Sequence, residues 1–248
     1  MSLKKFFEFK EEDLEPIKSF KLQDNLNDKV WETDDKMFPE IRKNLIQIAE
    51  DFYETADIDT EIIDIILTGS LSNYNWSSKY SDFDVHIVVE LKKAGDDVDM
   101  VKKVADQAKN IWNRDHDIEI EGYDVEVYIQ DVNEPHIANG VYSILNDKWN
   151  KKPSKIDFEV DEKEIEKKGK SLMSLVDIVE KDVDDMEYEK FKDKISKVWD
   201  KIKDLRKVSL KEEGEFGVGN LVFKLLRRNG YIEKIIDLKR DSYDKQFN

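Results

Sequence analysis

Asp82 and Asp84 are the residues of this chain best suited to chemistry. They are two carboxylates separated only by Phe83, in a run that reads as a strand, SDFDVHIVVE. Alternate residues of a strand project from one face, so the pair stands together with Cα atoms roughly 6.6 Å apart. Two such carboxylates repel each other unless a cation lies between them. A hard divalent ion such as Mg²⁺ fits that role, because it takes carboxylate and phosphate oxygens together. Glu126 offers a third acid from a later run, YDVEVYIQ, where Val125 and Val127 face the opposite way. If that strand lies beside the first, three acids converge. Asp124 has the same facing and is the rival third acid, although its place near a turn suits a cap. His86 shares the acid face one step further in and reads as a satisfied polar residue, not a ligand.

The elements that must position these acids are legible around them. EIIDIILT is short, branched and apolar, which favours a strand, and Gly69-Ser70 ends it. A sharp turn after a strand leaves backbone N–H groups open to a terminal phosphate, and the Ser70 hydroxyl adds a further hydrogen bond. Ser81 directly precedes the acid pair. Phe83, Val85, Ile87 and Val89 form the opposite, apolar face of the second strand. Val98 to Trp112 carries one apolar stripe and reads as a helix crossing back onto the sheet. DIEIEGYDVEVYIQD then reads as two short strands meeting at Gly122.

The rest of the chain reads differently. Pro16 and LQDNLNDKVW suggest a short helix and an extended strap in which Trp31 is a buried anchor. Pro39 opens a helix to about Tyr53. GVYSILNDKW reads as a short apolar helix inside a loop that exits at Pro153. From there helices are predicted over Ile165 to Val179, with Gly169 weakening the first half, and over Tyr188 to Leu205. Another runs from about Asn220 to the Asn229-Gly230 cap, and a last one from Tyr231 to about Ser242. The order is a mixed α/β part up to about residue 130 followed by helix, so the fold class is α+β. The division predicted is a strap over 1–37, a small mixed-sheet domain over 38–132 and a helical domain over 133–248 that closes a cleft.

Composition bounds the function. With no cysteine among 248 residues, disulfides, thiolate metal sites and a cysteine nucleophile are excluded. Charged residues reach 40%, while 12 Phe, 9 Tyr and 5 Trp argue against pervasive disorder, so long charged helices are expected. No stretch approaches a membrane span and the N-terminal stretch lacks an apolar core, which makes a cytoplasmic protein without membrane attachment the expectation. The net charge of −16 disfavours a nucleic-acid backbone as partner. That charge is uneven. Residues 201–248 carry 12 Lys/Arg against 8 Asp/Glu, and LVFKLLRRNG gathers Lys224, Arg227 and Arg228 on one short helix. Lys224 and Arg228 share a face, and with Arg206 and Lys207 they are candidate contacts for an anion.

A strand ending in Thr68-Gly69-Ser70, a connector of about ten residues, Ser81-Asp82-Phe83-Asp84-Val85 and an acid on a later strand make up the pattern. It resembles the nucleotidyltransferase superfamily typified by DNA polymerase beta, which includes kanamycin nucleotidyltransferase. The resemblance extends over residues 38–130. It implies a small twisted mixed sheet and transfer of a nucleoside monophosphate from a nucleoside triphosphate, ATP by default, to a hydroxyl, with release of pyrophosphate. It also implies two Mg²⁺ ions, or Mn²⁺ in their place, held by Asp82, Asp84 and Glu126. Gly69, Ser70 and Ser81 would hold the β- and γ-phosphates, with Lys224 and Arg228 as cations for the triphosphate. Many members of that superfamily have a second Gly or an Arg after the Gly-Ser. Here the connector is LSNYNWSSKY, leaving Asn73, Asn75, Ser78 or Lys79 to substitute, and Tyr74 or Trp76 either to stack on a base or to pin the loop. A small-molecule or protein hydroxyl suits the acidity better than an RNA end. Two other readings are open: an inactive nucleotide-binding module, and an interaction protein working through its charged helices.

Overall fold

The computed structural model describes residues 14–33, 35–134, 138–155, 159–183 and 186–247. The chain is mixed α+β and divides into two compact units, Leu22–Ile156 and Met1–Lys21 with Asp157–Asn248.

The first unit is built on a six-stranded sheet. Its strands are β1 (Asp64–Thr68), β2 (Phe83–Val89), β3 (Glu119–Ile120), β4 (Tyr123–Asp131), β5 (Val141–Ser143) and β6 (Lys148–Lys151), in the order β3-β4-β2-β1-β5-β6. β2 and β4 run parallel, and the other neighbours are antiparallel. A parallel pair needs a crossover, and α3 (Leu91–Ala94) with α4 (Val98–Asp115) provides it. Helix α2 (Pro39–Ala56) begins on Pro39, whose missing N–H costs nothing in the first turn. One sheet face is apolar. Ile65 and Leu67 of β1, Phe83, Val85, Ile87 and Val89 of β2, and Val125, Val127 and Ile129 of β4 join Leu45, Ala49 and Phe52 of α2 in one core. The period-2 pattern therefore sends the acids of β2 and β4 to the other face.

One reading of the sequence is corrected within this unit. GVYSILNDKW forms the β5–β6 hairpin, not a helix. Tyr142 and Ile144 enter the main core while Val141 joins Ile66 and Val88 on the opposite face, so V-Y-S-I is a strand alternation. Asp147 takes a left-handed conformation with φ +55° in the turn, as an Asn-Asp pair allows. In the strap, Leu26, Val30, Trp31 and Met37 are all buried in the main core. Trp31 does anchor it. Its indole donates to the Leu71 carbonyl at 2.7 Å and stacks on Trp149 with centroids 4.6 Å apart. Residues 1–13 of the strap lie outside the described residues.

The second unit contains α1 (Glu15–Lys18), α5 (Glu162–Lys181), α6 (Tyr188–Glu212), α7 (Val218–Arg228) and α8 (Tyr231–Asp244). Ile165, Leu172 and Val176 of α5 pack with Phe191, Ile195 and Ile202 of α6 and with Leu221, Val222 and Leu225 of α7. Gly169 does not interrupt α5. A Cβ there would lie 2.6 Å from Leu225 Cδ2, so the glycine is what lets α7 approach. Among the described residues no helix is long and apolar enough to cross a membrane.

Candidate metal centre

Asp84 sits at the middle of the candidate site because of register. It pairs with Thr68 across the antiparallel β1–β2 ladder and with Glu126 across the parallel β2–β4 ladder. Asp82 immediately precedes β2 on the same side. Asp82, Asp84 and Glu126 each offer a carboxylate oxygen, and these oxygens lie within 4.8 Å of one another. Among the described residues this is the one group of three or more acids, histidines or cysteines so placed. Asp82 and Asp84 are half-buried and Glu126 is exposed, so a ligand can reach the cluster from solvent. Asp124 pairs instead with Glu119 at the β3 edge.

Gly69 is the other fixed point. It ends β1 with φ +73°, in the left-handed region that glycine enters without penalty. A Cβ on it would lie 1.9 Å from Asp84 Oδ2. The Asp84 carboxylate therefore rests in space that only glycine leaves open. The Ser70 hydroxyl donates to Ser81 Oγ at 2.7 Å, and Ser81 Oγ accepts the Ser77 N–H at 2.8 Å. This serine chain ties the turn after β1 to the residue that precedes Asp82.

The connector is a built loop. Ser72 and Asn73 are buried, and Asn73 Oδ1 accepts from the Tyr74 N–H at 2.8 Å and from Asn139 Nδ2 at 3.0 Å. Trp76 donates its indole N–H to the Asn25 carbonyl at 2.8 Å, and the Gln23 N–H donates to the Tyr74 carbonyl at 2.7 Å. Both aromatic positions thus fasten the loop to residues 23–25.

Beneath the acids runs a buried relay that sequence reasoning saw only at His86. Thr68 Oγ1 lies 2.9 Å from His86 Nε2, and His86 Nδ1 lies 2.5 Å from Gln130 Oε1. An amide oxygen only accepts, so Nδ1 carries the proton and Nε2 accepts from the threonine hydroxyl. His86 is 7% exposed, which fits a neutral, fully bonded imidazole. Its ring lies 3.7 Å from that of Tyr128, a residue the sequence did not single out although it shares the acid face of β4. Burial pushes the Tyr128 hydroxyl well above its ordinary pKa, and the charges of Asp84, Glu134 and Glu126 add to the shift.

The sheet unit thus gathers Asp82, Asp84, Glu126, Gly69, Ser70 and Ser81 around one turn. Lys224 and Arg228 belong to α7 of the helical unit. Arg228 donates to Ser19 Oγ at 2.5 Å and lies over the Phe20 ring at 4.8 Å, which gives it a structural job there.

The donor set suits a hard divalent cation. Three carboxylates with no nitrogen or sulfur ligand favour Mg²⁺, Mn²⁺ or Ca²⁺ over softer metals. No protein-family profile and no curated protein sequence matches this chain. Among solved structures, it has a likeness to the STING-associated CdnE c-di-GMP synthase from Capnocytophaga granulosa, at 11% identity and a TM-score of 0.21, covering 85% of this chain and 84% of that one.

Proposed function

We propose that this chain is a metal-dependent nucleotidyltransferase, moving a nucleoside monophosphate from a nucleoside triphosphate to a hydroxyl acceptor with release of pyrophosphate. The observation that carries this reading is the meeting of three carboxylate oxygens within 4.8 Å beside the Gly69-Ser70 turn. Acids alone would suit many divalent sites. Acids next to a strand-ending glycine turn suit one that also receives phosphate.

Asp82, Asp84 and Glu126 would hold two divalent ions, Mg²⁺ or Mn²⁺. Such ions, when bound, grip the triphosphate oxygens, lower the pKa of the acceptor hydroxyl and offset charge on the reacting phosphoryl group. The chain's own groups do the rest. Gly69, lacking a side chain, leaves room for Asp84 and exposes backbone at the turn. Ser70 and Ser81 hold each other, so the turn and the acid strand keep one geometry for the β- and γ-phosphates. ATP is the default donor. The net charge of −16 favours a small-molecule or protein hydroxyl, a cationic acceptor above all, over an RNA end.

The test is incubation with each α-labelled NTP and Mg²⁺ or Mn²⁺, against an Asp82→Asn/Asp84→Asn control. Label is scored on the protein itself, on RNA and on small hydroxyl acceptors. Pyrophosphate release that the double variant loses supports the reading. Equal, background release from both proteins would sink it.

A further inference from the structure

Arg206 lies on α6 and Arg227 on α7 of the helical unit, where several other cations are paired. Lys203 pairs with Asp200, Lys234 with Asp177 and Glu180, and Arg240 with Asp237. Among the described residues neither Arg206 nor Arg227 forms an ion pair, in a chain where acids outnumber bases by 16. The charge felt most by Arg206 is another cation, Arg227.

The fold contacts of Arg206 engage only part of its guanidinium. Its guanidinium lies over the Phe223 ring, 4.2 Å from the centroid, and its Nε donates to Asn220 Oδ1 at 3.3 Å. Asn220 is only 2% exposed, and its amide is oriented by a 2.6 Å bond from Nδ2 to the Glu215 carbonyl. The aromatic face and the amide use one side and one N–H of the guanidinium, leaving the terminal nitrogens as a pre-oriented fork. Phe223 and Arg227 are one turn apart on α7, so Arg227 reaches the same place. Partial burial and, to a lesser degree, the Arg227 charge pull the Arg206 pKa down, yet a guanidinium stays charged. Two like charges kept together without an acid are relieved by an anion that carries two charges and several oxygens.

We propose that Arg206 and Arg227 form a binding site for a phosphoryl group of a small phosphorylated ligand, with the Arg206 fork and the Arg227 guanidinium sharing its oxygens. Phe223 is already covered by Arg206, so the site reads the phosphate and not a base. The acidity of the chain disfavours a long polyanion. The site needs no metal, and its existence does not depend on catalysis at the acid cluster.

The experiment is calorimetric titration of the full chain in EDTA with inorganic phosphate, tripolyphosphate, ATP and a short single-stranded oligonucleotide. Saturable binding of tripolyphosphate and ATP with similar affinity is expected. Arg206→Gln and Arg227→Gln should each weaken it about tenfold, the loss of one charge-assisted contact, and the double variant should abolish it. Lys201→Gln, on the same helix and also exposed, should stay within about twofold of the parent, which separates a built site from general charge. Arg227 is exposed and its side chain makes no hydrogen bond or ion pair among the described residues, so its variant remains decisive if Arg206→Gln unfolds. No saturable binding in EDTA overturns the proposal, as does unchanged affinity in the double variant. Tighter binding of the oligonucleotide than of ATP overturns the assignment to a small ligand.

Discussion

Asp84 Oδ2 lies where a side chain on Gly69 would begin, 1.9 Å from the ideal Cβ position. The two residues are brought together by the β1–β2 register, which pairs Asp84 with Thr68, the residue before the glycine. Gly69→Ala must therefore move the carboxylate, and it must also place alanine at φ +73°. The backbone cost is about 1 kcal/mol, small beside the stability of a domain. Stability should fall by about that amount, while divalent-dependent activity falls by about two orders of magnitude, since misplacement by an ångström has that effect. Thermal melts alongside turnover check this. Proportionate loss of both would mean that the glycine serves only the fold.

Without a cation between them, the three carboxylates of the cluster repel one another. Asp82→Asn is expected to raise the melting temperature in EDTA slightly and to erase the stabilisation that Mg²⁺ or Mn²⁺ gives the parent. Differential scanning calorimetry with and without the ion measures both arms. A parent protein that ignores millimolar divalent ion would contradict the centre.

The relay beneath the acids predicts strong coupling. His86→Leu leaves Thr68 and Gln130 buried with lost partners, and should cost about 2–4 kcal/mol. Thr68→Val alone should cost about 1–2 kcal/mol, and the double variant less than the sum, because both act through one contact. Urea unfolding of the four proteins gives the coupling, and strict additivity would dissolve the relay into separate bonds.

Tyr142 sets an alkaline limit. Burial first, and then its bond to Asp147 at 2.6 Å, push its hydroxyl up to about 12 from the ordinary 10.0. The folded pKa is raised, so this stability is whole below pH 10 and drains away as pH climbs from 10 towards 12. Tyr142→Phe should lower stability by about 1–2 kcal/mol at neutral pH and flatten that alkaline decline. Melts across pH 8 to 12 test it, and an unchanged alkaline slope in the variant would refute it.

The acid strands were readable because a strand's period of two separates Asp82, Asp84 and Glu126 from Phe83, Val85 and Val127, and one face must be apolar. The long helices were readable for the same reason at a period near four. The hairpin at Val141–Lys151 was not, since its strands are short and the apolar residues at 141, 142 and 144 suit either a helical turn or a strand. Only the Asn146-Asp147 turn signal distinguished them. Gly169 looked like a weakness because propensity counts the helix alone, while its value lies in Leu225 on another helix. The Thr68–His86–Gln130 relay and the Arg206–Phe223 contact join residues distant in sequence, and pairing of that kind leaves no local pattern.

The parallel pairing of β2 with β4 has a bearing on how the molecule comes into being. Asp84 and Glu126 are neighbours only after the whole α3–α4 crossover has been laid down and the second strand has closed alongside the first. Such distant pairing is entropically expensive and comes late in folding. The pairing that seats Val125, Val127 and Ile129 in the apolar face is the same one that brings Glu126 beside Asp84, so burial of the core and assembly of the three acids are one event on the folding path.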